Sequence, residues 1–302
     1  MKLSQLGEFG LIARIARKEP ALSSTIVGIG DDCAVIGLPV NDKYQLVTTD
    51  ALIENVHFRR RGLSFFHLGR KALAANISDI AAMGGWPTHA LITLGLPGTI
   101  SVQAVDALYR GLDSLARAFK VDIVGGDTVA SPKGLVISIT LLGEVEKKNL
   151  LLRSGARPGD LICVTGKFGG PAAKGYSSRY ALPVTRLQEG RSIAQSRLAT
   201  AMIDSSDGLV GSVLELCKAG KTGARIFEDC VPVAKGATLE QALYGGEEYE
   251  LVFAVPKTKL KQLKVKLTVV GEIVGSKQGV KLVDKHDKIK PLRSGGYEHF
   301  KK

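Results

Sequence analysis

Read for the period of its apolar positions, the chain alternates short β-like runs with a few longer helical stretches. Leu3 to Arg17 carries Leu3, Leu6, Leu11, Ile12 and Ile15 at near-helical spacing. Glu8 lies early in that stretch and Arg14, Arg17 and Lys18 late, the polarity a helix dipole favours, so a short helix is predicted. Leu68 to Met83 is alanine-rich and free of proline, and the Gly84-Gly85 pair that follows is a stop signal. Val102 to Phe119 repeats Val105, Leu108, Leu112, Leu115 and Ala116 and predicts a third helix. Between these lie strand-like runs at Thr25–Val27, Cys33–Ile36, Tyr44–Thr49, His89–Leu96, Val121–Val124 and Leu135–Val145. This order predicts an α/β or α+β domain ending near Lys148.

Arg153 to Asp160 is turn-rich and marks a boundary. Beyond it, strands are predicted at Leu161–Thr165, Ala224–Phe227 and Leu251–Val255, with Ala201–Ile203 as a further apolar run. Helices are predicted after Asp207-Gly208 and over Thr238–Leu243. Lys257 to Lys266 holds five lysines in ten residues around Leu260 and Leu263 and predicts a helix with a solvated face. Tyr176 to Ala194 carries no legible pattern. The expected domains are thus 1–148 and 149–302.

Polar residues interrupt this pattern at telling places. The predicted helix at 68–83 carries Lys71, Asn76 and Asp79 among alanines and isoleucines, with Asn76 and Asp79 three apart and so on one face. Buried polar groups need partners, so this stripe is expected to have them. Two carboxylates, Asp31 and Asp32, sit in the glycine-relaxed bend Gly28–Cys33, and further aspartates close apolar runs at Asp50, Asp127, Asp204 and Asp207. Acids that converge in this way repel one another unless a cation joins them. Mg²⁺, which takes carboxylate, phosphate and water oxygens, is the expected one.

Composition sets bounds. The 302 residues are 45% hydrophobic and 23% charged, ordinary material for about two domains. The formal charge of +12 is lopsided, +2 over residues 1–148 and +10 over 149–302, which fits an anionic ligand bound through divalent cations. Nucleic acid is not an expected partner, because aromatics make up 6% of the chain and none lies within Lys257 to Lys266. Cys33, Cys163, Cys217 and Cys230 form no Cys-x-x-Cys pair, so free thiols are expected. No run of about 18 apolar residues could span a bilayer, and Glu8, Arg14 and Arg17 break any signal-peptide core. A cytoplasmic protein is expected, with no membrane partner.

Two phosphate-binding motifs are near misses. Ala219-Gly220-Lys221-Thr222 resembles the end of a P-loop, but the glycine required five positions before Gly220 is Glu215. Gly28-x-Gly30-x-x-Cys33 lacks the third glycine of a dinucleotide fingerprint, and a β-like run follows it where that motif opens a helix.

Nearly the whole chain, however, resembles the thiamine-monophosphate kinases of the aminoimidazole-ribonucleotide-synthetase-like superfamily. The resemblance runs through Gly7-Glu8-Phe9, the Gly28–Cys33 bend, Thr49-Asp50, Asn55–Phe58 and Asn76–Asp79 with Ala82-Met83-Gly84. It continues through Gly125–Thr128, Arg153–Asp160, Ser206–Leu209, Gly245–Glu250 and Gly296–Phe300. It implies an α+β, two-domain fold whose amino-terminal domain carries a mixed sheet that pairs in a homodimer, with a carboxy-terminal α/β sandwich domain. It also implies Mg²⁺-assisted, direct in-line phosphoryl transfer from ATP to thiamine monophosphate, giving thiamine diphosphate. By position, Asp32, Thr48, Thr49, Asp50, Asp79, Asp127, Asp204 and Asp207 resemble metal ligands, with Asp127 and Asp207 central to catalysis. Tyr109, Gly126, Asp127, Arg153 and Ser206 resemble ATP contacts, and His57, Glu247 and Tyr297 the acceptor site. Glu248 departs from the family, which more often has Asp there, and the stretch between Gly170 and Arg197 is short for it. Relatives that make selenophosphate or mature hydrogenases use a cysteine near one terminus, and residues 1–32 and 231–302 have none. The alternative is another ATP-dependent member of the superfamily, such as an aminoimidazole ribonucleotide synthetase, with a different acceptor.

Overall fold

Strict two-residue alternation of buried and half-buried positions from Val136 to Glu146 makes this strand the centre of the first sheet. The computed structural model of the chain describes residues 3–16, 22–38, 42–60, 62–176, 183–290, 292 and 297–300. The first half runs α1 (Leu3–Ala16), β1 (Thr25–Val27), β2 (Ala34–Gly37), β3 (Lys43–Ile53), α2 (Phe65–Ala82), β4 (Trp86–Leu96), α3 (Val102–Phe119), β5 (Asp122–Ala130) and β6 (Val136–Glu146). Its six strands lie in the order β1-β2-β3-β6-β4-β5, antiparallel except for the parallel β4–β5 pair. Ile137, Ile139, Leu141 and Val145 point from β6 into the core, beneath α2 and α3. The opposite face of the sheet is open, with Ile53, Leu91 and Val129 exposed on it.

The second half runs β7 (Asp160–Val164), α4 (Gly170–Ala173), α5 (Leu187–Ser196), β8 (Ala201–Ser205), α6 (Leu209–Gly220), β9 (Thr222–Phe227), α7 (Leu239–Tyr244), β10 (Glu250–Pro256), β11 (Thr268–Gly275), β12 (Val280–Val283) and β13 (Ile289–Lys290). These seven strands form a second mixed sheet, β13-β12-β9-β11-β7-β10-β8. β10 is apolar on both faces because both are covered. Leu251, Phe253 and Val255 join the core shared with α2, while Val252 and Ala254 pack in the core that holds α6 and α7. The fold is therefore α+β with two mixed sheets, and α2 lies between them.

Why α2 can sit so close to its neighbours is written in glycine. A Cβ on Gly69 would strike the Leu108 carbonyl, and one on Gly111 would strike the Phe66 carbonyl, so α2 and α3 cross nearly backbone to backbone. α2 starts at Ser64, whose hydroxyl accepts the His67 N–H at 3.2 Å.

Several expectations shift. β3 does not stop before Asp50, because it pairs residue for residue with β6 from Lys43↔Glu146 to Ile53↔Val136 and carries Asp50 inside the ladder. β5 likewise continues through Gly125, Gly126 and Asp127 to Ala130 alongside β4. Only Lys257–Gln262 of the lysine-rich stretch is helical, as a 3₁₀ turn. Beyond it Leu263, Val265 and Leu267 pack on the core at two-residue spacing, a strand period that leads into β11. α1 contains a break at Gly7, where φ is 74°. Gly220 ends α6 and Lys221 caps it in the left-handed conformation, the opposite end of a helix from the one a P-loop opens. Arg17, Lys18 and Gly296, and residues 177–182 of the unpatterned stretch, lie outside the described residues. Among the described residues no helix is long and apolar enough to cross a membrane, and Cys33, Cys163, Cys217 and Cys230 are free thiols.

Candidate active site

Three carboxylates from three elements meet beside α2. Asp32 leaves the bend before β2, Asp79 comes from α2 and Asp204 from β8, and one oxygen of each lies within 4.8 Å of the others. The Thr48 hydroxyl donates to Asp79 Oδ2 at 2.5 Å, and the Ser78 hydroxyl donates to Asp204 Oδ2 at 2.7 Å. Asp50 follows Thr48 by two residues on β3 and shares its face. Its backbone N–H donates to Asn76 Oδ1 at 3.2 Å, and the Asn76 amide donates to the Ala72 carbonyl at 3.1 Å. The polar stripe of α2 is thus partnered, with Lys71 and Asn76 buried and Asp79 half-buried.

Burial pushes these carboxyls toward the neutral form, and for the acids of the cluster their mutual repulsion adds to it. Asp204 is raised to about 8, Asp207 to about 7, and Asp31 and Asp50 to about 6. Asp79 is raised well above the usual range by burial and then by Asp50, Asp204 and Asp32. Burial also raises Asp32, against the opposing pull of Arg153. Arg153 donates to Asp32 Oδ1 from Nε at 3.2 Å and Nη2 at 2.5 Å, and its backbone N–H donates to Asp31. Asp32 Oδ2 is buried without a partner. Converging carboxylates, an orphaned oxygen and too little positive charge fit a hard, oxygen-seeking cation such as Mg²⁺.

Two cavities meet at Ser206 and Asp207, which with Tyr297 line both. The larger, about 910 Å³, is bounded by the Gly28–Asp32 bend, Thr48, Arg153 and Asp204, with α1 and α6 as walls. The smaller, about 520 Å³, is lined by Asp50, His57, Glu247, Tyr249 and Tyr297 among others. His57 Nδ1 accepts the Ile53 N–H at 3.0 Å, which leaves the ring proton on Nε2, 3.3 Å from His299 Nε2. Burial, then His299 and Lys71, lower His57 to about 4, so the ring is neutral at physiological pH. Glu247 donates its N–H to the Ser206 carbonyl at 2.6 Å and accepts from Lys71 Nζ at 2.7 Å.

The sequence-derived residues fall into two groups. Asp32, Thr48, Asp50, Asp79, Asp204, Asp207, Arg153, Ser206, His57, Glu247 and Tyr297 surround the acid cluster or the two cavities. Thr49 lines the larger cavity but turns its hydroxyl to the open face of the sheet, where it donates to the Ile139 carbonyl at 3.1 Å. Tyr109 on α3 and Gly126 and Asp127 on β5 line neither cavity. β4 and β6 separate β5 from β3, which puts Asp127 about 14 Å across the sheet from the strand of Asp50. Four residues of the site were given no role in it from the sequence: Asp31, Lys71, Glu8 and His299. A second acid in the bend and a lysine in an alanine-rich helix were visible signals for the first two. Glu8 and His299 belong to opposite ends of the chain, and only folding shows that Glu8 accepts the His299 N–H at 2.9 Å.

Residues 30–145 match the family model described as AIR synthase related protein, N-terminal domain, and residues 157–284 match its C-terminal counterpart. The thiamine-monophosphate kinase of Bacillus subtilis (strain 168) is 34% identical to this chain, over 98% of this chain and 100% of its own length. The enzyme of the same name from Escherichia coli (strain K12) is 33% identical, over 97% and 98%. The solved structure of AaThiL complexed with AMPPCP and TMP is similar with a TM-score of 0.85 and 32% identity, covering 99% of each chain. On fold, motifs and full-length similarity, the chain belongs to the thiamine-monophosphate kinase family.

Proposed function

We propose that this protein transfers the γ-phosphoryl group of ATP to the phosphate of thiamine monophosphate, giving ADP and thiamine diphosphate. The observation that carries the reading is the meeting of two cavities at Ser206 and Asp207 beside the acid cluster, an arrangement that suits two phosphate-bearing ligands placed end to end. Full-length similarity to thiamine-monophosphate kinases, and to AaThiL with AMPPCP and TMP bound, supports the assignment of the ligands.

The acceptor is a phosphate monoester, largely dianionic at neutral pH because its second pKa is about 6. It needs no general base. His57, neutral and with its proton on Nε2, suits a hydrogen-bonding role rather than proton transfer. The barrier is one anion approaching another. Arg153 and the protein's alignment of the two ligands lower it from the protein side. Bound Mg²⁺ supplies neutralisation of the charge on the transferring group. Asp32, Thr48, Asp50, Asp79, Asp204 and Asp207 hold the ions in this reading, with Thr49 contributing through its backbone. Arg153 and Ser206 serve ATP in the larger cavity. His57, Glu247 and Tyr297 receive thiamine monophosphate in the smaller one, Glu247 by charge and Tyr297 by stacking.

Gly126 and Asp127 then act on a second copy of the chain. In register, Asp127 lies opposite Thr93 and shares the open sheet face with Leu91, Val129 and Ile53, all exposed. A homodimer formed through that face covers these apolar residues and delivers Asp127 and Gly126 to the partner's nucleotide.

Direct transfer is tested by quenching the protein with γ-labelled ATP both in alkaline detergent, which preserves a phosphohistidine, and in acid, which preserves an acyl phosphate. Label on thiamine diphosphate and none on the protein is expected. Protein-bound label that chases into product on adding acceptor contradicts direct transfer.

A further inference from the structure

Lys71 is among the largest side chains in the protein that are shut off from water, with 1% of its surface exposed. Burying an ammonium is unfavourable unless it is closely paired, so its place in α2 needs a reason. Its Nζ donates to Glu247 Oε1 at 2.7 Å and to the His57 carbonyl at 3.1 Å. Both partners line the 520 Å³ cavity. One side chain thus ties two loops, at His57 and at Gly245–Tyr249, to one helix.

The Glu247 loop has a strained backbone. Glu247 and Tyr249 both lie in the left-handed region, at φ 61° and 53°, with Gly246 at 77° before them. Backbone N–H groups of Glu247 and Tyr249 donate to the carbonyls of Ser206 and Ser205, at 2.6 and 2.8 Å, and dock the loop on the end of β8. Glu247 Oε1 is taken by Lys71, while Oε2 is buried without a partner. Burial raises the Glu247 carboxyl and the Lys71 charge opposes that rise. Eight residues further along α2, about 12 Å up the axis, Asp79 joins the acid cluster.

We infer that Lys71 is a positioning residue for acceptor recognition. It fixes the Glu247 side chain, which lines the cavity, and the His57 loop to α2, so that the negative charge of Glu247 faces a cationic ring at a set distance from the acids of the same helix. The inference rests on the acceptor proposed above, whose thiazolium ring is the cation.

The test is calorimetric titration of the wild-type and Lys71→Met proteins with three ligands: thiamine monophosphate, its analogue with a neutral thiophene in place of the thiazolium, and AMPPCP with Mg²⁺. Lys71→Met is expected to bind thiamine monophosphate on the order of tenfold to a hundredfold more weakly. It should bind the neutral analogue and AMPPCP as the wild type does, and Lys71→Arg should recover part of the loss. Unchanged affinity for thiamine monophosphate overturns the inference, as does equal weakening toward all three ligands. If Lys71→Met does not fold, the double variant Lys71→Met/Glu247→Gln removes the pair as a unit. It should lose the wild type's preference for the cationic over the neutral acceptor, and retention of that preference overturns the inference. A wild-type protein that binds neither acceptor overturns the proposed substrate and this inference together. A wild type that binds thiamine monophosphate beside a Lys71→Met protein that binds it equally well removes the Lys71 role alone.

Discussion

Arg153 places Nε and Nη2, at 3.2 and 2.5 Å, on one oxygen of Asp32 and leaves the other oxygen buried and unpartnered. The two residues are 121 positions apart, and Arg153 is the first residue of the turn-rich boundary. A single ion pair therefore joins the acidic bend to the second half of the chain and leaves one oxygen for a metal.

Removing Arg153 leaves Asp32 as an uncompensated buried carboxylate. Arg153→Met is expected to lower folding stability by about 3 kcal/mol, read from the midpoint of urea unfolding in EDTA. An unchanged midpoint would mean that Asp32 is protonated in the ion-free fold and gains nothing from the pair.

The acid cluster sets a pH dependence of unusual sign. Asp204 near 8, Asp207 near 7 and Asp31 and Asp50 near 6 all lie above the 3.8 of an unperturbed carboxyl. Each binds its proton more tightly folded than unfolded, so the ion-free protein loses stability as pH rises from about 4 to 8. In EDTA the Tm should be higher at about pH 5.5 than at about pH 8. Saturating Mg²⁺, which binds the native carboxylates, should flatten or invert this slope. A Tm in EDTA that rises across this window would show that the acids are not forced together.

The α2–α3 crossing has no room for a methyl group at Gly111, where a Cβ would meet the Phe66 carbonyl. Gly111→Ala is expected to destabilise the protein by about 2 kcal/mol through overpacking, although alanine is the better helix former. Chemical denaturation measures it. A stabilised variant would mean that the helices part easily.

Much of this was legible in the chain. Val102–Phe119 was marked at both ends by its periodicity, and the apolar run from Leu251 to Val255 is a strand packed on both faces. The acids of the site could be listed for similar reasons, since Asp32 stands in a glycine bend and Asp79 in a helix otherwise built of small and apolar residues. Partnership was not legible. Local pattern ended β3 at Thr49 and β5 at Val124, whereas pairing with β6 and β4 carries each strand onward. The links from Lys71 to Glu247, 176 residues apart, and from Glu8 to His299, 291 apart, leave no periodic trace. Tertiary hydrogen bonds of this kind are specified by the packing of whole elements.

Asp127 stands on an exposed edge strand, away from the acids of its own chain. If it serves a partner's site, Asp127→Asn and Asp207→Asn are each nearly inactive while remaining folded. Mixed and re-equilibrated, they should regain about a quarter of wild-type turnover, because each heterodimer has one site free of both changes. No recovery from a mixture shown to exchange subunits would place Asp127 outside the shared site.

The central claim is the reaction itself. Purified protein is incubated with ATP, Mg²⁺ and thiamine monophosphate, beside EDTA and free-thiamine controls, and the products are separated by chromatography. Thiamine diphosphate and ADP in equal amounts, formed only with metal and only from the monophosphate, are the predicted result. ATP bound in the presence of Mg²⁺ but no thiamine diphosphate formed would contradict the account and point to a different acceptor.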